Sequence, residues 1–154
     1  MRDELLIAVL AAGASQRLGQ PKQLVDVGGE PLFRRQCRVA IESRVAPVAV
    51  ICGCQADSCI AEIADLPVAI RRNGLWREGL ASSIREATRA AIEKNADALL
   101  ILHGDQYRVT AEDLQTMHAA WALSGPSVAC RSRHADYAGP PVILPAALFA
   151  QLSQ

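Results

Sequence analysis

No run of about 20 consecutive apolar residues occurs in the 154-residue sequence, so no membrane-spanning helix and no membrane partner are expected. Charge of one sign is not in excess either: Lys plus Arg number 16 and Asp plus Glu 16. The broad positive field that gathers nucleic acid is therefore missing, and any anion binding has to be local. The five cysteines, Cys37, Cys52, Cys54, Cys59 and Cys130, show no C-x-x-C spacing. That argues against a disulfide framework or a tetrahedral zinc site, and leaves reduced structural thiols as the expectation. The first ten residues hold Asp3, Glu4 and an apolar run too short for a signal peptide, so a cytoplasmic location is expected. Two phosphate-binding signatures are also lacking. Gly19 is followed by Gln20 and Pro21, not by the Lys-Ser/Thr of a P-loop, and no G-x-G-x-x-G follows a strand. Lysine itself is scarce, with only Lys22 and Lys94 in the chain.

Hydrophobic residues make up 51% of the sequence, enough for one domain over residues 1–154. A chain of this size buries roughly 68–70% of its unfolded surface. Apolar runs rich in β-branched residues alternate with segments of helical period, the pattern of a mostly parallel sheet covered by helices. Strands are predicted at 5–10, 48–52, around 68–70, at 98–102 and at 127–131, with a further short run to 144. Helices are predicted after Pro31 (buried stripe Phe33, Cys37, Ala40, Ile41), near 57–64, after Ser82 or Ser83 (Ile84, Ala87, Ala91, Ile92), at 111–121 behind a Thr110/Asp113 cap, and at 146–152.

The stretch 10–24, LAAGASQRLGQPKQL, leaves the first strand as a loop with two fixed cations, Arg17 and Lys22. Gly13 can adopt backbone angles closed to other residues and lets a ligand approach the main chain. A polyphosphate suits this loop; an ordinary strand-to-helix turn with surface cations is the plainer alternative. A compact ammonium on a flexible stem, Lys22, can follow a phosphate in a way a rigid guanidinium cannot. Loop 71–83 (RRNGLWREGLASS) precedes a helix start, either a capped helix alone or a second anion or base site. Asp105 follows the most strand-like run and would face the crevice at the carboxyl ends of the strands, as a magnesium ligand or a helix cap. Arg131 and Arg133 could meet an anionic acceptor or simply be solvated. No chemistry is assigned to His103, His118 or His134.

In order, Leu10, Ala11, Ala12, Gly13, Ser15, Arg17, Leu18, Gly19, Lys22, Gly28, Gly29, Pro31 and Leu32 follow a family signature. By these residues the sequence resembles the molybdenum-cofactor nucleotidyltransferases of the MobA-like NTP transferase group, in particular the cytidylyltransferase branch. Asn73, Trp76, Gly79, Ser82 and Ser83 match a second family segment, Asp105 and Gln106 a third, and Gly139 with Pro141 a fourth. The resemblance implies a three-layer α/β/α Rossmann-like nucleotidyltransferase of the nucleotide-diphospho-sugar transferase type. It implies transfer of CMP from CTP, or of the equivalent group from another NTP, to the terminal phosphate of molybdopterin with release of pyrophosphate. Arg17 and Lys22 would bind the triphosphate and Asp105 would hold Mg2+. Leu10, Ala11, Ala12, Gly13, Ser15, Asn73, Gly79, Ser82 and Ser83 would bind the nucleotide, and Gly139 and Pro141 the acceptor. Ala12, where guanylyl-transferring relatives more often have Gly, leans the reading to CTP, and Tyr107 stands where the family has Pro. The resemblance also implies a C-terminally shortened domain, since the family continues with a Gly-Asp-x-Gly-Ala-Arg segment and an Asp-rich strand. The alternatives are a sugar-phosphate or polyol-phosphate nucleotidyltransferase, and a nucleotide- or cofactor-binding accessory protein for a molybdoenzyme.

Overall fold

A computed structural model describes residues 4–14 and 22–154. Strand β1 (Leu5–Ala11) is buried at every position, the form expected of a strand covered on both faces. Its neighbours are β4 (Val48–Cys52) and β6 (Ala98–His103), both parallel to it. Between them in the chain lie the short hairpin β2 (Asp26–Val27) and β3 (Glu30–Pro31) and helix α1 (Leu32–Ser43). The hairpin turn is Gly28–Gly29, with φ of 67° and 94°, a pair of left-handed angles that only glycines adopt at little cost. Asp26 Oδ1 accepts from Gly29 N–H at 2.9 Å. Helix α2 (Ala56–Glu62) and strand β5 (Ala69–Arg72) follow, then α3 (Leu80–Glu93), α4 (Ala111–Ser124), β7 (Cys130–His134), β8 (Tyr137–Pro145) and α5 (Phe149–Leu152). The six-stranded sheet has the order β5-β4-β1-β6-β8-β7.

Alternation along β1 divides the core in two. Leu5, Ile7, Val9 and Ala11 join a cluster with Phe33, Cys37 and Ala40 of α1, Cys59 of α2, and Leu114 and Trp121 of α4. Leu6, Ala8 and Leu10 meet Ala87, Ala90 and Ala91 of α3 and Phe149 of α5 on the opposite face. The small alanines let α3 lie close to the sheet. Each fully buried Val, Leu or Ile stabilises the fold by about 1.5–3 kcal/mol relative to exposure. The three-layer α/β/α expectation therefore holds, and the Thr110/Asp113 capping box is present as read from sequence.

Four expectations need correction. β8 is a nine-residue strand antiparallel to both β6 and β7, where the sequence gives only a short run. Pro140 and Pro141 cannot donate to a ladder, and they sit opposite the register shift between Arg131 and Ser132. β7 starts at Cys130, not 127, because Gly125 ends α4 at φ 96° and Val128 N–H turns back to its carbonyl at 3.2 Å. Ser82 and Ser83 do not cap α3: the N-cap is Gly79, at φ 96°, and both serines lie inside the first turns. Ile92 is 46% exposed, so the buried stripe of α3 runs through Ala87, Ala90 and Ala91 instead.

Burial pushes the Cys37 and Cys59 thiols up to about 12 and the Cys52 thiol up to about 11. They are inert core groups, as structural thiols should be.

Candidate functional site

Because β1, β4, β5 and β6 run parallel, their carboxyl ends open on one side, and the loops that leave them are knitted together by main-chain hydrogen bonds. Gly104 N–H donates to Leu10 O at 2.9 Å, Cys54 N–H to Ala12 O at 3.2 Å, and Asn73 N–H to Cys52 O at 2.7 Å. Between these loops lies a cavity of about 520 Å³. Leu10, Ala12, Gly13, Lys22, Gly79, Ser83 and Asp105 all line it, so residues separated by more than half the chain converge as the crevice rule anticipates. Lys22 and Asp105 share this cavity. Ser15 and Arg17 lie outside the described residues.

Not every predicted site residue reaches the cavity. Ala11 is buried strand. Asn73 and Ser82 stand behind the wall: Asn73, 2% exposed, donates from Nδ2 to Ser82 Oγ at 2.8 Å and Ser83 Oγ at 3.0 Å. Its Oδ1 accepts from Leu75 N–H at 3.0 Å, and Ser82 Oγ donates to Gly79 O at 2.7 Å. This buried network fixes the turn Trp76–Glu78 and the first turn of α3 against the cavity. Gly13 does not take a left-handed angle; its place in the loop leaves open space, since an added Cβ would meet no atom of the described residues within 4 Å.

Gln23 and Gly53 are site residues that sequence reasoning missed. Gln23, 5% exposed, donates from Nε2 to Ala11 O at 3.1 Å and to Gly13 O at 2.7 Å. It therefore pins the loop after β1 and, as the neighbour of Lys22, fixes where that side chain begins. A Gln directly after a motif lysine was the available signal, but its partners are ten or more residues away. At Gly53 an added Cβ would lie 2.5 Å from Trp76 Cβ and 2.8 Å from Ala12 Cβ. Both neighbours are bound close to backbone and cannot swing away. Gly53→Ala is expected to force the two loops apart, destabilise the fold by about 1–3 kcal/mol and weaken nucleotide binding, while Gly13→Ala, with no such neighbours, keeps the stability of the parent. Thermal unfolding and calorimetric titration of the pair check this.

A second cavity of about 890 Å³ opens between α4 and the β7/β8 strands, lined among others by Pro140, Pro141, Arg108, Arg131 and Arg133. Asp105 lines both cavities. Pro141 thus faces the second space, whereas Gly139 pairs with Ser132 in the sheet and does not line it. Gln106 supports the wall between them: its Oε1 accepts from His103 N–H at 3.0 Å and its Nε2 donates to Pro140 O at 2.7 Å. His103 lines the first cavity. Burial pushes its imidazole below the usual value, against the pull of the Asp105 carboxylate, so at neutral pH it adds no charge to the site.

The cations are partitioned. Arg34, Arg71, Arg72, Arg85 and Arg89 each hold a carboxylate at 2.6 Å, and Arg38 is paired with Glu30 and Glu42; all lie off the two cavities. Lys22 and Arg77 on the first cavity, and Arg108, Arg131 and Arg133 on the second, have no carboxylate partner among the described residues. Arg35, which acts on the Glu30 carboxylate, Lys94, which acts on Glu93, and Arg44 lie elsewhere. A cavity lined by unneutralised cations attracts anions.

A family model described as the MobA-like NTP transferase domain matches residues 7–154. The chain belongs to that family. Among curated proteins, this MobA-like chain is similar to the bifunctional protein GlmU of Anaeromyxobacter sp. (strain Fw109-5), 38% identical over 123 residues that cover 77% of the chain and 25% of that protein. The chain spans about a quarter of the length of the curated relatives it matches. Among solved structures it resembles Rv0371c from Mycobacterium tuberculosis H37Rv, with a TM-score of 0.81 and 27% identity over 99% of the chain and 77% of that one. The fold is also shared with a 4-diphosphocytidyl-2C-methyl-D-erythritol synthase, at a TM-score of 0.75 and 14% identity over 99% of the chain and 80% of that one. A MobA-like NTP transferase domain with a mixed, mostly parallel sheet is thus established. Among the described residues no helix is long and apolar enough to cross a membrane.

Proposed function

We propose that this domain transfers a nucleoside monophosphate from an NTP to a phosphate-bearing acceptor and releases pyrophosphate, with a sugar phosphate or polyol phosphate as the acceptor. The observation that carries the reading is the placement of Lys22 and Asp105 on one cavity at the strand ends, with Asp105 also facing a second, cationic cavity. The similarity to GlmU and the shared fold with a synthase of a diphosphocytidyl polyol support this acceptor class. A molybdopterin acceptor with CTP as donor is the second reading, favoured by the signature from Leu10 to Leu32 and by the MobA-like family match.

In this reaction an acceptor phosphate oxygen forms the new bond to the α-phosphorus while the bond from that phosphorus to the bridging oxygen breaks in line, and pyrophosphate leaves with the electron pair. The acceptor phosphate is already ionised, so no proton has to be removed, and the protein's contribution is positioning and charge neutralisation. Lys22 would hold the phosphate tail, with Arg17 joining it. Leu10, Ala12, Gly13, Gly79 and Ser83 would shape the nucleotide side, and Pro141 with Arg108, Arg131 and Arg133 the acceptor side. Asn73 and Ser82 would serve by fixing the turn before α3.

Magnesium fits the donor set. Among the described residues no group of three His, Cys, Asp or Glu is arranged to hold a metal ion, and Asp105 is the one described carboxylate lining the first cavity. Mg2+ is commonly bound by one or two carboxylates together with substrate phosphates and several waters, so one strand-end carboxylate beside a phosphate site meets its needs. Asp105 would hold the ion, which would supply neutralising charge to the phosphate tail that Lys22 grips. Asp105→Asn is expected to cut turnover by roughly tenfold or more and to raise the Mg2+ concentration needed for half-maximal rate; an unchanged magnesium dependence would remove Asp105 from the metal site. The acceptor is tested by following pyrophosphate release from labelled CTP, UTP and GTP with hexose 1-phosphates, polyol phosphates and molybdopterin. Release dependent on a sugar or polyol phosphate is the expected result. Release with molybdopterin alone moves the assignment to the second reading, and nucleotide binding without any release would make the domain a carrier.

A further inference from the structure

Arg77 lines the first cavity and has no role in the reaction proposed above. Its guanidinium carbon lies 4.7 Å from the centroid of the Trp76 ring. The carboxylate next to it in sequence, Glu78, is already engaged by Arg85 at 2.6 Å, and no other carboxylate partners Arg77 among the described residues. An exposed guanidinium resting on an indole face is held weakly, by quadrupole attraction alone. A phosphate offers it charge-assisted hydrogen bonds in a fork geometry, which are stronger. Its backbone, by contrast, is fixed. The turn Trp76–Glu78 closes through Gly79 N–H to Trp76 O at 3.1 Å and Glu78 N–H to Leu75 O at 2.9 Å, and Trp76 Cβ lies against Gly53.

We infer that Arg77 is a polyphosphate-binding residue of the first cavity, parked on Trp76 until an anionic phosphate tail draws it away. The inference rests on the nucleotide-site reading of that cavity and adds a second described cation to the one, Lys22, already placed on it. It also makes Trp76 a reporter. The chain has two tryptophans, and Trp121 is fully buried in α4, so a response to ligand arises from Trp76.

The test titrates the full chain and its Arg77→Gln and Arg77→Lys variants with Mg-CTP, inorganic pyrophosphate and CMP, read by calorimetry and by tryptophan emission. In the parent protein CTP and pyrophosphate should change Trp76 emission, and Trp76→Phe should abolish that change. Arg77→Gln should bind CTP and pyrophosphate roughly tenfold more weakly, about 1.4 kcal/mol, leave CMP affinity within about twofold, and lose the emission response. Arg77→Lys should recover part of the affinity without the stacked free-state emission. Parent-like binding of CTP and pyrophosphate by Arg77→Gln, at unchanged melting temperature, overturns the role of Arg77 while the cavity remains a nucleotide site. Absence of CTP binding in the parent protein overturns both.

Discussion

Lys22→Ala is expected to lower kcat/KM for the proposed transfer by about two to three orders of magnitude, the effect seen when one preorganised electrostatic donor is removed, near 3 kcal/mol. Three observations set that scale. Lys22 lines the same cavity as Asp105. No carboxylate partners it among the described residues, so its charge is not spent within the fold. And its position is inherited from Gln23, whose two hydrogen bonds to Ala11 O and Gly13 O clamp the short turn Lys22–Leu24 to the loop after β1. The loss should fall more on kcat than on KM, because charge on the departing pyrophosphate grows only as the bond breaks. Lys22→Arg keeps the charge but not the compact, flexible ammonium, and should restore part of the rate. Steady-state kinetics on the three proteins check this, and parent-like turnover in Lys22→Ala would remove the residue from the mechanism.

Phe33→Ala is expected to cost about 3–5 kcal/mol of stability, the usual result of deleting a buried phenyl ring. Phe33 is fully buried. It sits on the first turn of α1 and joins the cluster that binds α1 and α4 to the sheet. For a chain of this length each kcal/mol moves the melting temperature by about 2–4 °C, so a drop on the order of 10 °C should be seen by circular dichroism. Phe33→Leu, which refills most of the volume, should recover the larger part of it. The position also touches function through geometry. A Cβ at Gly104 would lie 3.1 Å from Phe33 Cβ and 3.0 Å from Leu10 O, so the start of α1 packs closely against the backbone immediately before Asp105. A shift of less than about 2 °C would mean that the ring stabilises far less than a core residue should.

Much of the molecule was legible from local pattern. The stripe Phe33, Cys37 and Ala40 read as a buried helix face because 3.6-residue spacing is a property of the chain itself, and all three are fully buried. Runs of β-branched and aliphatic residues at 5–10 and 98–102 read as strands for the same reason, and each strand runs one residue further, to Ala11 and His103. The reading failed where a distant partner outbid the local rule. Ser82 and Ser83 look like helix caps, but Asn73, nine and ten residues earlier, takes their hydroxyls, and a glycine at positive φ starts the helix instead. The run to 144 reads as short, yet β8 extends from Tyr137 to Pro145 through the Pro140–Pro141 pair, because β7 pairs with its first half and β6 with its second.

From the letters alone came the class of chemistry: a glycine-bearing, lysine-bearing loop at a strand end, an aspartate at another, and a chain too neutral to act through a broad field. Such features are short-range, written in adjacent residues and their spacing. The fold alone decided that Lys22 and Asp105 open on one cavity, that Asn73 and Ser82 stand behind its wall, that Gln23 and Gly53 fix its loops, and that Asp105 borders a second cavity. Those facts depend on contacts between segments tens of residues apart, whose closeness is settled by sheet order and by which side chains fill the core between them, and no window of sequence contains that information.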